Sequence, residues 1–335
     1  MNIISDNSNK NFKVLSIDGG GIRGIYSSKI LEYFESTFNC HIADYFDLLC
    51  GTSTGGLIAL ALSLKIPAKE ITEFYELHGS KIFPNQKMGW FRKNIWRGKY
   101  DNEKLKEALK ITFKDHLIGD SNCLLCIPAY SITDARPYIF KYDHEEGGLS
   151  RDNNTEYVQV ALATCAAPTY FPLVEIDNYN KKQFIDGGVY ANNPTFIGFT
   201  EAMDYFVGKN KKFNSLSILS LASLEVPSGK PTGLKLKRAL WDWREDLVNP
   251  FMVGQSFITN FSMAKLSKDL SLNFTFERIP STVISANQCH LATLDNASEK
   301  AINFMKGKGQ DQGLIFSKKE EIKEFFKIEK FYKLK

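Results

Sequence analysis

One pattern restricts this chain more than any other, and it occurs twice before residue 65: a short apolar run ends in glycines and passes straight into helical spacing. Phe12 to Ile17 reaches Asp18-Gly19-Gly20-Gly21-Ile22-Arg23-Gly24 and leads into Ile25 to Phe38. Tyr45 to Cys50 runs through Gly51 to Gly56 into Leu57 to Leu64. Strand–turn–helix units this close together imply crossover connections, which belong to a parallel sheet with helices packed on it. The expected class is α/β, a three-layer sandwich around a central, mostly parallel sheet.

Further strands are expected at Leu124 to Ser131, Pro137 to Tyr142, Gln183 to Asp186 and Leu216 to Ala222. Helices are expected at Ala68 to His78, behind Pro67, and at Glu103 to Phe113, Tyr157 to Cys165, Pro194 to Phe206 and Lys319 to Phe326. Beyond Glu225, the cluster Pro227, Ser228, Gly229, Pro231 and Gly233 reads as a loop, and the remainder as helices that complete or cover the core.

Charge and hydropathy exclude whole classes. Lys plus Arg number 42 against 38 Asp plus Glu, a net +4 too small to mark a partner of nucleic acid polymers. The longest apolar-rich stretch, Leu57 to Leu64, is far short of the roughly 20 residues a membrane-spanning helix needs. Met1 to Asn11 is rich in Asn and Ser without an apolar segment, so a cytoplasmic protein is expected. The six cysteines form no disulfide framework, and the lone pair Cys123 and Cys126 sits in an apolar run that reads as buried strand rather than zinc site. No acidic loop has calcium-ligand spacing, so neither metal nor cofactor is expected.

The chemistry-bearing residues cluster at the turns. Gly51-Thr52-Ser53-Thr54-Gly55 is a Gly-x-Ser-x-Gly between a strand and a helix, the setting of a nucleophile elbow. Glycines 19 to 21 leave backbone N–H groups unobstructed at a helix start, which suits a phosphate or an oxyanion. No Gly-Lys-Ser/Thr follows, so a nucleotide P-loop is disfavoured, and Gly19, Gly20 and Gly21 are expected as oxyanion donors. Arg23 either braces that loop or meets lipid phosphate, and Gly24 closes the motif. Asp186-Gly187-Gly188 ends another strand, which makes Asp186 the candidate base. A Ser-His-Asp triad is the competing mechanism, for which only His290 lies late enough in the chain.

Together these pieces resemble the patatin-like phospholipases, relatives in fold of cytosolic phospholipase A2. The resemblance rests on Asp18 to Gly24, Ala43 to Asp47 leading into Gly51 to Gly56, Lys99-Tyr100-Asp101, and Ala166-Ala167-Pro168-Thr169-Tyr170-Phe171-Pro172 ahead of Asp186-Gly187-Gly188. It spans residues 12–205, taken as the catalytic core, with 206–335 as a C-terminal region. It implies a serine lipid acyl hydrolase in which Ser53 and Asp186 form a dyad, Gly19, Gly20 and Gly21 with Arg23 make the oxyanion hole, and no histidine is needed. Gly51, Gly55, Gly187 and Gly188 would support the geometry. Some bacterial members of this family are antiphage effectors switched on by cyclic oligonucleotides, and the size of this chain resembles theirs.

Three further segments bear on partners. Trp90, Phe91, Trp96 and Tyr100, interleaved with Lys87, Arg92, Lys93, Arg97 and Lys99, suit either an anionic phospholipid surface or a core with a charged rim. Lys318 to Lys335 reads as a membrane anchor or as a terminal helix packed by its aromatics. Lys235, Lys237, Arg238 and Arg244, with Trp241 and Trp243, are candidates for a cyclic oligonucleotide or simply a solvated face. An esterase or thioesterase of smaller acyl groups and a non-catalytic binding module are the alternative functions.

Overall fold

The first apolar run forms β1 (Asn11–Ile17), buried at every residue after Asn11, because it pairs on both edges and is covered on both faces. It pairs in parallel with β2 (Leu48–Gly51) and β7 (Ser215–Leu221). In turn β2 pairs in parallel with β3 (Leu124–Ser131), and β7 with β8 (Phe274–Ile279). Three antiparallel strands complete the sheet beside β3: β4 (Arg136–Lys141), β5 (Val174–Ile176) and β6 (Lys182–Asp186). The order is β5-β6-β3-β2-β1-β7-β8, with β4 also on β3. The computed structural model describes residues 10–84, 99–227, 229, 232–234, 236, 237 and 248–334.

Helices lie on both faces, giving the expected three layers. On one face α3 (Thr54–Ser63) packs across β1, β2 and β3, with α1 (Gly24–Phe38) and α4 (Ala68–Ile82) beside it. On the other, the helix Thr195–Glu201 crosses β1, β2 and β7. The sides follow from register: Cys50 pairs with Cys126, so Ile127, which meets α3 at Gly56, faces away from Cys50, which meets Gly198. The helix Glu299–Phe316 packs on α1.

The differences from expectation have local causes. Instead of a strand from Tyr45, a helical turn forms at Ile42–Tyr45, and β2 begins only at Leu48. The Glu35 carboxylate accepts the N–H groups of Ile42 at 3.0 Å and Ala68 at 2.7 Å, satisfying two helix starts at once. Thr54, Gly55 and Gly56 belong to α3 rather than to the turn before it. Within the C-terminal region expected to be helical, Phe274–Ile279 forms strand β8, and Phe274-Thr275-Phe276 alternates as a half-buried strand should.

Beyond residue 316 the chain is held down rather than free. Phe325 and Phe326 are buried against Phe34, Phe38 and Phe46. Lys13 on β1 donates to the carbonyls of Phe325 and Ile328, and Tyr332 N–H donates to Asp47 Oδ1 at 2.9 Å. Burial lowers the Lys13 pKa to about 8, against the pull of Asp47.

Candidate active site

Ile17 registers with Gly51, so the two glycine-rich turns leave the sheet side by side at the carboxyl ends of parallel strands. Crevices of α/β sheets form at such ends. Ser53 stands between β2 and α3 with φ 54° and ψ −124°. A residue with a Cβ avoids that region, and holding it there costs about 1–3 kcal/mol. Neighbours impose it. Ser53 N–H donates to Thr164 Oγ1 at 2.9 Å, Thr164 Oγ1 donates to the Pro128 carbonyl at 2.6 Å, and Thr52 Oγ1 donates to the Ala191 carbonyl at 2.6 Å. The tight closure requires glycine on both sides: a Cβ on Gly51 would stand 2.1 Å from the Gly55 carbonyl oxygen, and one on Gly55 2.3 Å from that of Ile17. Ser53 is thereby half-buried at the N-terminus of a ten-residue helix, where N–H groups favour negative charge.

Asp186 reaches the same place from an antiparallel strand. β3 runs past the end of β2, and β6 returns along that overhang, so Asp186 lies opposite Ala129. Its Oδ1 accepts the Gly188 N–H at 2.7 Å, its own N–H donates to the Ala166 carbonyl, and it lines the same cavity as Ser53. Gly187 packs flush on β3, where a Cβ would be 2.4 Å from the Pro128 carbonyl oxygen. Burial pushes the Asp186 carboxyl up to about 6, although Ser53 and Gly188 both pull it down.

The glycine loop is braced from residues far along the chain. Asp18 N–H donates to the Leu221 carbonyl at 3.0 Å, and Ile22 N–H to that of Leu294 at 2.9 Å. Gly21 has φ +58°, and a Cβ there would stand 2.3 Å from the Leu294 oxygen. Arg278 on β8 grips the buried Asp18 carboxylate with two hydrogen bonds of 2.9 and 2.6 Å, and also donates to Ser220 Oγ at 2.6 Å. Burial pushes the Asp18 carboxyl up and Arg278 opposes it.

Two expectations need correction here. Gly19 donates its N–H to the Asn192 carbonyl at 2.9 Å, so only Gly20 and Gly21 of the three keep N–H groups without an acceptor among the described residues. Arg23 is not a donor to the site: it is buried, its Nε donates to the Gly20 carbonyl at 3.0 Å, and it does not line the cavity. That is the bracing role, and burial lowers its pKa to about 10. Gly24 gives close contact between α1 and α3, since a Cβ would lie 2.1 Å from Thr54 Oγ1.

Ser53 and Asp186 open on a cavity of about 260 Å³ whose wall is mostly apolar, including Leu57, Phe74, Phe83 and Phe171. Among the described residues no histidine lines it, and His290 is exposed in a turn at Ala286–Leu291. Phe83 and Tyr100, the described ends of the aromatic–basic segment, stack edge-on at 5.5 Å, and Tyr100 OH donates to Asp295 Oδ2 at 3.0 Å. Trp90, Phe91, Trp96, Lys87, Arg92, Lys93 and Arg97 lie outside the described residues, as do Lys235, Arg238, Trp241, Trp243 and Arg244.

Sequence reasoning missed four contributors. Thr164 orients the elbow, Arg278 holds Asp18, and Cys165 and Asn192 line the cavity. Burial and the nearby Asp186 push the Cys165 thiol up, so it is a neutral neighbour of Ser53. The Asn192 Oδ1 is buried with no partner among the described residues. Only Asn192 carried a signal, as part of Asn192-Asn193-Pro194 behind Asp186-Gly187-Gly188.

Comparison with known proteins shows the family to which the chain belongs. The family described as patatin-like phospholipase matches residues 15–198. A cGAMP-activated phospholipase of Pseudomonas aeruginosa is 30% identical over 89% of this chain and 86% of its own length. One of Vibrio cholerae is 30% identical over 94% of each. The human GIVD cytosolic phospholipase A2 superposes with a TM-score of 0.42 at 10% identity, over 94% of this chain and 60% of its own. The chain belongs to the patatin-like phospholipase family and is by that membership a lipid acyl hydrolase.

Proposed function

We propose that this chain hydrolyses fatty acyl esters of membrane phospholipids through Ser53 and Asp186, and that a cyclic oligonucleotide of the cGAMP class switches it on. The observation that carries the catalytic reading is Ser53, held at positive φ within reach of a buried Asp186 at the wall of an apolar cavity. As Ser53 Oγ attacks the acyl carbonyl carbon, Asp186 takes its proton, and the carbonyl oxygen becomes an oxyanion. The N–H groups of Gly20 and Gly21 are the available donors, with that of Thr54 at the first position of α3 as a third. Collapse expels the lysophospholipid alcohol, which recovers the proton from Asp186. Water then attacks the acyl-serine, again giving its proton to Asp186, and the fatty acid leaves as Ser53 Oγ is reprotonated.

A carboxylate of ordinary pKa is a weak base for this task, and the burial that raises Asp186 to about 6 improves the match. Nucleotide activation is supported by the cGAMP-activated phospholipases of Pseudomonas aeruginosa and Vibrio cholerae, 30% identical over 89% and 94% of this chain. The test is fatty-acid release from mixed phospholipid vesicles by wild type, Ser53→Ala and Asp186→Asn, each with and without a panel of cyclic di- and trinucleotides. Release abolished in both variants and dependent on one nucleotide is expected. Equal release by all three proteins would overturn the catalytic assignment, and release indifferent to the panel would remove the switch.

A further inference from the structure

The helix Val248–Leu266 is built inside out. Its polar residues face the protein: Gln255 Oε1 accepts the Asn192 N–H at 3.1 Å and Gln255 Nε2 donates to the Val189 carbonyl at 2.9 Å. Asn192 Nδ2 donates to Ser256 Oγ at 3.3 Å, and Asn193 Nδ2 to Asn260 Oδ1 at 2.9 Å. Four of its large apolar residues nevertheless face outward, Phe251 at 64% exposed, Phe257 at 69%, Ile258 at 57% and Phe261 at 51%, while Met263 is buried in the core. A helix on a water-facing surface normally shows the reverse polarity. Exposed Val189 and Phe196, from the elements this helix packs on, extend the patch.

The structure assigns this face to a phospholipid surface: Phe257, Ile258 and Phe261 enter the bilayer interface and bring the cavity mouth against it. The inference rests on the proposed function and names the surface through which that function meets its substrate. Three observations favour lipid over protein as the occupant. Phe251 and Met252 at the start of the helix, and Val189 beside it, also line the Ser53 cavity, so the apolar face and the cavity wall are continuous. A second protein seated there would cover the entrance, whereas a bilayer supplies the acyl chain the cavity fits. The helix contains no acidic residue, and its one cation, Lys265, lies 5.5 Å from the Phe261 ring centre, where an aliphatic stem can lie in the interface with the ammonium among phosphates. Among the described residues no helix is long and apolar enough to cross a membrane, so this one lies along it.

The test uses the full chain with Ser53→Ala, so that lipid stays intact, sedimented with phosphatidylethanolamine–phosphatidylglycerol vesicles in the presence and absence of cGAMP. Adding Phe257→Ser, Ile258→Ser and Phe261→Ser together is expected to lower vesicle partitioning at least about tenfold, and Phe257→Ser alone about threefold. With Ser53 restored, the triple variant is expected to hydrolyse a water-soluble short-chain ester at the wild-type rate. Equal sedimentation with and without the three substitutions, or no sedimentation of the parent chain, would overturn the assignment. So would a drop in molar mass by light scattering in the triple variant, which would give the face to a second copy. Binding is read here without turnover. If instead Ser53→Ala kept its soluble-ester activity, the proposed function would fail whatever the vesicles showed.

Discussion

Asp186→Asn separates what the buried carboxylate does for the reaction from what it does to the fold. Burial raises its pKa from 3.8 to about 6, so the ionised form is disfavoured in the native state by about 3 kcal/mol. The sign follows from proton binding. Between those two values the native state holds a proton that the unfolded chain has released, so stability falls as pH rises through that window, and the full cost is present above it. Asparagine keeps the shape and an acceptor for the Gly188 N–H but has no charge to bury. For 335 residues the unfolding entropy is about 0.7 kcal/mol/K, so the variant is expected to melt about 4 °C above wild type at pH 8. The gap should close below about pH 4. Calorimetry across pH measures it, and taking the difference between the two proteins cancels Asp47, which burial also raises to about 6. The same variant is expected to lose turnover by at least about a hundredfold. A variant less stable than wild type at pH 8, or a gap independent of pH, would refute the reasoning.

Other outcomes follow from named contacts. Turnover per unit of bound substrate in wild type is expected to fall about tenfold per pH unit below pH 6 and to level above it, and a plateau already at pH 5 would remove Asp186 as the base. Gly21→Ala forces a Cβ to within 2.3 Å of the Leu294 oxygen at φ +58°, and is expected to cost about 100- to 1,000-fold in kcat with KM little changed. Arg278→Leu leaves the buried Asp18 carboxylate unpaired and is expected to destabilise by about 3–5 kcal/mol in denaturant titration, less so if Asp18→Asn is added. Thr164→Val removes the acceptor of the Ser53 N–H, with an expected loss of about 1–3 kcal/mol and of turnover.

The parts legible in the sequence are those whose signal is local. A glycine turn between an apolar run and helical spacing is one, and it located β1, β2, Ser53 and the loop at Gly19 to Gly21. What a glycine permits was legible; what its N–H meets was not, because the Asn192 carbonyl that takes the Gly19 N–H arrives from 173 positions away. Arg23 was visible as a bracing candidate but not as buried, since burial depends on how the later chain covers it. The strand expected from Tyr45 begins only at Leu48, because Tyr45 closes a helical turn whose start is satisfied by a side chain on the preceding helix, Glu35. Strand β8 carries a local signal only in the alternation of Phe274-Thr275-Phe276, and three residues are too few to separate a strand from the helical spacing expected there until they pair with β7.

The least legible contacts share one direction. Asp18 is held by Arg278, Ile22 and Gly21 lie against Leu294, Gly20 packs on Ser223, and Asn192 is held by Gln255 and Ser256. Every one of those partners lies beyond residue 221, whereas the residues they support are the glycine motif, which ends at residue 24, and Asn192. The glycine loop is therefore held by the later third of the chain as well as by its own turn and by Asn192. The helix at Val248–Leu266 stands at the end of one of these supports, since Gln255 holds the Asn192 N–H while the Asn192 carbonyl holds Gly19. A surface that pulls on that helix is thus two hydrogen bonds from Gly19, the neighbour of the residues proposed to hold the oxyanion, which is a physical reason for lipid docking and loop geometry to be built from the same segment.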